Sequence, residues 1–164
     1  MSRPAPPVRN SARAHRGLRA NSFAAIVMLL LEFGLGIGVN LYATLPVSDH
    51  HKTLFGAFGG AVANGPAVLT THALLGTLLL LAGVSVLVRA AIARWPMAIG
   101  AGAVALVALI VAWLSGAHFV GDMANGSSLA MALATAVSLL CYTCILFVLP
   151  RAPSGRGAGQ TATP

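Results

Sequence analysis

Leu31-Glu32-Phe33-Gly34-Leu35-Gly36-Ile37-Gly38-Val39-Asn40-Leu41-Tyr42 is the stretch that decides the fold. It lies inside an apolar run from Ser22 to Leu45, which at about 1.5 Å per helical residue is long enough to cross a bilayer. It also carries a carboxylic acid, three glycines and an asparagine. A charged group at membrane depth is costly and normally faces protein or water rather than lipid. A helix of this kind therefore needs partner helices. Three further apolar runs supply them, at about Pro66 to Val88, Pro96 to Ala117 and Ser127 to Leu149. The expected fold is all-α, an integral membrane four-helix bundle.

Composition agrees. Hydrophobic residues make up 57% of the chain and charged residues 8%, against roughly a quarter charged in soluble domains. The formal charge of +7 sits mostly at the chain ends: Arg3, Arg9, Arg13, Arg16 and Arg19 precede the first span, and Arg151 and Arg156 follow the last. Such a distribution reflects topology and attraction to anionic headgroups. It is not a nucleic-acid surface, because no aromatic interrupts the basic arm before Phe23. The partners expected from sequence are the bilayer and a membrane-protein partner or a second copy of the chain, with no nucleic acid. Two cysteines, Cys141 and Cys144, exclude a disulfide framework. No Walker loop, Gly-x-Ser-x-Gly or His-Glu-x-x-His motif is present, so the sequence supplies no enzymatic signature.

Lysine and arginine number five, one, two, none and two in successive non-membrane segments. The positive-inside rule then places both termini in the cytoplasm. The loop from Val47 to Gly65 and that from His118 to Gly126 face outward. Nine arginines to one lysine, with abundant alanine, glycine and valine, point to a GC-rich bacterial genome and hence to a bacterial cytoplasmic (inner) membrane. Residues 1–21, rich in proline and arginine, read as a disordered basic arm, 22–150 as the membrane domain and 151–164 as a disordered tail. Trp95 and Trp113, near the two ends of span 3, suit interfacial belts. The aromatic and glycine-rich segment after Asp49-His50-His51-Lys52 suits the membrane surface.

Helical rise allows depths to be compared. With Pro46 and Pro66 taken as one level, Asn40 and His72 both lie about 9 Å below it and pair, while Glu32 lies about 21 Å below, level with Cys141, Tyr142 and Thr143. Glu32, Asn40 and Tyr142 are the expected buried polar residues. For Glu32 the alternatives are a functional acid or a structural one bonded to Tyr142, Thr143 or Ser138. Gly34 and Gly38 form a GxxxG pair expected to lie against another helix. His72, Gly76 and Gly83 share one face of span 2. Ala108, Ala112 and Gly116 form a small-residue stripe on span 3, and Ser128, Ala132 and Ala136 another on span 4.

His72 is the one histidine well inside a span, and imidazole ligates heme iron or metals. A single histidine of this kind is more often a structural hydrogen-bonding residue, here with Asn40 as the expected partner. His118, at the outer end of span 3, is the candidate second heme ligand. Asp49, His50 and His51 in the outer loop, with His118 and Asp122, offer nitrogen and oxygen donors suited to a divalent transition metal, or else belong to a solvated loop. Leu31-Glu32-Phe33-Gly34-Leu35-Gly36 closing at Leu45-Pro46, followed by Thr71-His72-Ala73-Leu74-Leu75-Gly76, resembles a helix pair of the heme A synthase four-helix unit. That resemblance covers spans 1 and 2 and implies a b-type heme held by His72; a quinone is the alternative lipid-phase cofactor. The chain is also similar in general to small four-span membrane proteins of high-GC bacteria, a likeness that implies no activity.

Overall fold

A computed structural model describes residues 8–42, 53–122 and 125–149. Five helices make up this part of the chain: α1 Val8–Tyr42, α2 Leu54–Asn64, α3 Ala67–Ala93, α4 Pro96–Asp122 and α5 Asn125–Val148. Within them Arg13–Tyr42, Ala67–Ala93, Pro96–Val120 and Gly126–Val148 are long and apolar enough to cross a membrane. The chain therefore has the helices of a four-span membrane protein. Their outer surface suits lipid, with Leu30, Leu31, Leu81, Val107, Leu133 and Leu140 all exposed.

The spans close into a ring. α1 packs on α3 and α5, and α4 packs on the same two, so sequential spans are neighbours. α3 passes to α4 through Arg94 in the left-handed conformation (φ 54°), whose N–H bonds back to Ala90 and Ala91, and Pro96 opens the next helix where it loses no hydrogen bond. At one end of the ring Arg19 donates to the Leu149 carbonyl, Asn21 donates to Ser85 Oγ at 3.0 Å, and the Arg89 guanidinium lies over Gly17. This is the arginine end. α2 packs on α3 and α4 at the opposite end.

Two expectations need correction here. The helix of span 1 starts at Val8, not Ser22, so residues 8–21 of the supposed disordered arm are helical. After Pro7 the segment is built of alanine, arginine and other helix-compatible residues with one glycine, and nothing in it breaks the helix. Residues 1–7 and 150–164 lie outside the described residues. The second correction is α2, which occupies a segment read as a loop. The Thr53 hydroxyl caps it by accepting from Gly56 N–H, and its small face buries Ala57 and Ala61.

The core is in two parts. Toward the arginine end, Leu18, Leu29, Leu79, Val86, Leu109, Tyr142 and Ile145 belong to one cluster. Toward α2, Val39, Ala57, Ala61, Leu69 and Val120 form a second. The site lies between them.

Candidate functional site

Glu32 on α1 and His72 on α3 meet between the two clusters, with Oε1 and Nδ1 3.0 Å apart. Each rests on a glycine of the facing helix. A Cβ built on Gly76 would stand 2.9 Å from Glu32 Oε1, and one built on Gly36 would stand 3.3 Å from His72 Cε1. A side chain at either position would crowd the pair, so that Glu32 or His72 would have to shift to admit it. The contact is a close electrostatic approach rather than an aligned hydrogen bond, because Nδ1 has no partner of good hydrogen-bond geometry. Glu32 Oε2 is buried with no partner at all. Side-chain exposure is 20% for His72 and 13% for Glu32, so the pair is mostly, not wholly, enclosed.

What it borders is a cavity of about 350 Å³, with contributions from all five helices. Leu29, Leu79 and Leu109 close it toward the arginine end, and Val39, Ala61, Leu69 and Val120 toward α2. Phe33, Phe58, Trp113 and Phe119 give it aromatic walls. The exposed lining residues are Phe33, Ile37 and Asn40 on α1 and Ala132 on α5, so the cavity opens sideways between those two helices. Trp113 is fixed by donating from Nε1 to Thr77 Oγ1 at 3.2 Å, while Thr77 donates to the Ala73 carbonyl. Its ring packs against Phe58 of α2 at a centroid distance of 5.4 Å. Trp113 is thus a cavity residue and not the interfacial belt residue expected from its position.

The depth bookkeeping fails by more than a helical turn. Gly38 faces Val68, Gly36 faces His72, and Glu32 reaches Gly76, so equating Pro46 with Pro66 gives the wrong register between α1 and α3. His72 consequently meets Glu32, not Asn40, and Asn40 is exposed rather than buried. Tyr142 is buried, but its hydroxyl lies beside Gly83, about two turns along α3 from the carboxylate at Gly76. It has no hydrogen-bond partner. Ser138, another expected partner for Glu32, donates to Ala134 at 2.9 Å and approaches the Ala105 carbonyl at 3.4 Å. Gly34 also departs from expectation: it is exposed, with nothing within 4 Å of a built Cβ.

His118 is exposed at the end of α4 and does not line the cavity that His72 borders. Asp49, His50 and His51 lie outside the described residues, and among the described residues no group of three metal-ligating side chains is found. Sequence reasoning missed Trp113 and Met131, which line the cavity beside the pair. A signal for it was present in the small-residue stripes. Ala112 and Gly116 on α4 and Ser128 and Ala132 on α5 read as close helix contacts; Gly116 does lie against Met131 of α5, and all four also line the cavity. Small side chains there leave space rather than fill it.

Comparison of the chain with protein-family models, with curated proteins and with solved structures gave no match.

Proposed function

We propose that this is a multi-pass protein of a bacterial cytoplasmic membrane, with both termini inside, that serves as a binding or accessory subunit by holding a lipid-phase ligand in its lateral cavity. One observation carries the reading: a cavity of about 350 Å³, opening between α1 and α5, has an acid and a histidine 3.0 Å apart in an otherwise largely apolar wall. Ligand sites are mostly apolar concavities of roughly 300–1,000 Å³ with a few converging polar groups. The opening faces where lipid would lie, and the polar pair would fix one end of the ligand. The test is to purify the protein in mild detergent, extract bound small molecules and identify them by mass spectrometry. A species present at about one per chain, lost when Ala112→Phe fills the cavity, is the expected result. Identical extracts from both proteins would end the reading.

A second reading, a b-type heme, is favoured by one feature of the same site. A histidine whose Nδ1 faces a carboxylate is oriented as metal-ligating imidazoles commonly are, and Met131 brings a thioether into the same cavity. The remaining lining fits heme poorly, since it contains no lysine or arginine for the two heme carboxylates. The optical spectrum decides. An intense Soret band after heme-replete expression, abolished by His72→Ala, would establish heme, and a colourless protein would exclude it.

A further inference from the structure

We propose that the head of the ligand is an uncharged ring bearing hydrogen-bonding oxygens, a quinone or quinol, held by Glu32 and His72 with its tail leaving between α1 and α5. The inference rests on the cavity being a ligand site, and it names the class of ligand.

Charge sets the first limit. The cavity wall holds Glu32 and His72 and no lysine or arginine. Arg19, Arg89 and Arg94 belong to the arginine end, beyond the Leu29–Leu79–Leu109 floor. A phosphate or carboxylate head would be buried beside a carboxylate with no cation to compensate it, which is strongly unfavourable in a low dielectric. A cationic head fares little better. The one acid already faces an imidazole at 3.0 Å, so His72 occupies the side of the carboxylate that a ligand cation would approach from α3. The site is matched to a head of zero net charge.

Hydrogen bonding sets the second. Glu32 Oε2 is buried without a partner, and the facing Nδ1 is badly aligned. Buried polar atoms without a protein partner are costly, and a ligand head that carries hydrogen-bonding groups satisfies them. A quinol hydroxyl donates to the carboxylate. A quinone carbonyl accepts from the imidazole N–H. With a carboxyl group that accepts and an imidazole that donates side by side, the pair suits both forms of the head. A hydrocarbon ring satisfies neither atom.

Shape sets the third. Phe33, Phe58, Trp113 and Phe119 present aromatic surfaces to a space suited to one flat ring and the start of a tail, and offset stacking favours a planar guest. The exposed Phe33 and Ile37 continue the apolar surface from the wall to the outside of α1, along the route a tail would take.

Trp113 is the reporter. The chain has two tryptophans, and Trp95 lies apart from the cavity against His15. In a Trp95→Phe background, in a maltoside detergent, fluorescence is titrated with decylubiquinone, with its quinol, and with 4-bromo-decylbenzene, which keeps ring and tail but has no oxygen. Decanoate at neutral pH is added as competitor. The expected result is saturable quenching by all three probes, with quinone and quinol binding about tenfold tighter than the bromobenzene, the worth of one good hydrogen bond in a dry site, and no displacement by decanoate. His72→Phe and Glu32→Leu should each remove the tenfold advantage while leaving bromobenzene binding intact, which also shows that the variants fold. His72→Gln should keep part of it. Equal affinity for the quinone and the bromobenzene would overturn the head-group assignment and leave the cavity standing. Effective displacement by decanoate would overturn the charge argument. Absence of saturable binding by any probe would overturn this proposal together with the function it rests on.

Discussion

Glu32 and His72 are placed by residues that have no side chain. Gly76 receives the carboxylate and Gly36 the imidazole, so the two helices cross closely enough for the pair to form. Removing one member leaves the other buried without its partner, which is worse than removing both. Glu32→Leu and His72→Leu should therefore each destabilise more than additivity with the double variant allows. The coupling in a double-mutant cycle, read from unfolding in detergent, should be about 1–2 kcal/mol. A value near zero would mean that the two groups do not interact in solution. Two other glycines separate cause from appearance. Gly34 looks like half of a packing motif, yet a built Cβ meets nothing within 4 Å, so Gly34→Leu should leave the thermal midpoint of the monomer essentially unchanged. Gly65, which attracts no notice in the sequence, would place a Cβ 2.3 Å from the Ala61 carbonyl oxygen. That oxygen is backbone and cannot swing away, so Gly65→Ala should cost about 1–3 kcal/mol by forcing the α2–α3 corner to shift. Thermal melts of the two variants side by side test both statements.

At the level of elements, the four spans were legible because length and apolarity alone determine them, and Pro66 and Pro96 mark helix starts whatever packs around them. α2 was not legible. Leu54-Phe55-Gly56-Ala57-Phe58-Gly59-Gly60 has the glycine content of a loop, and it is helical because Thr53 caps it and because Ala57 and Ala61 fit against Leu69 and Val120. Tertiary contact overrides local preference there. The pair of polar residues was legible as two separate oddities, but not as a pair. Their meeting depends on the register between α1 and α3, and that depends on the connection between them, which includes α2. Proline positions were a poor substitute for that geometry. α2 also covers Trp113 through Phe58. Phe58→Ala should remove that cover, shift the emission of Trp113 to longer wavelength and raise its quenching by a water-soluble quencher, in a Trp95→Phe background. Unaltered emission would mean that α2 does not shield the cavity.

For the whole molecule, the asymmetry of charge and the asymmetry of the cavity run along one axis. Arg19 and Arg89 come together at one end through the Leu149 carbonyl and Gly17, and Arg94 ends α3 on the same side. α2 and the cavity lie toward the other end, where Lys52 is the sole lysine or arginine in the adjoining sequence. A bundle inserted by the positive-inside rule keeps its arginine end in the cytoplasm, and the connection carrying α2 then faces outward. Four crossings return the C-terminus to the side of the N-terminus. A green fluorescent protein fused after Pro164 should therefore fluoresce in a bacterial host, and alkaline phosphatase fused at the same point should be inactive. With the fusion made after Asn64 the two reporters should exchange behaviour, because one span then precedes them. Active phosphatase at the C-terminus would invert the bundle and move the cavity to the cytoplasmic half of the membrane. The chemistry of the Glu32–His72 pair would survive that result, but its ligand would have to reach it from the inner leaflet.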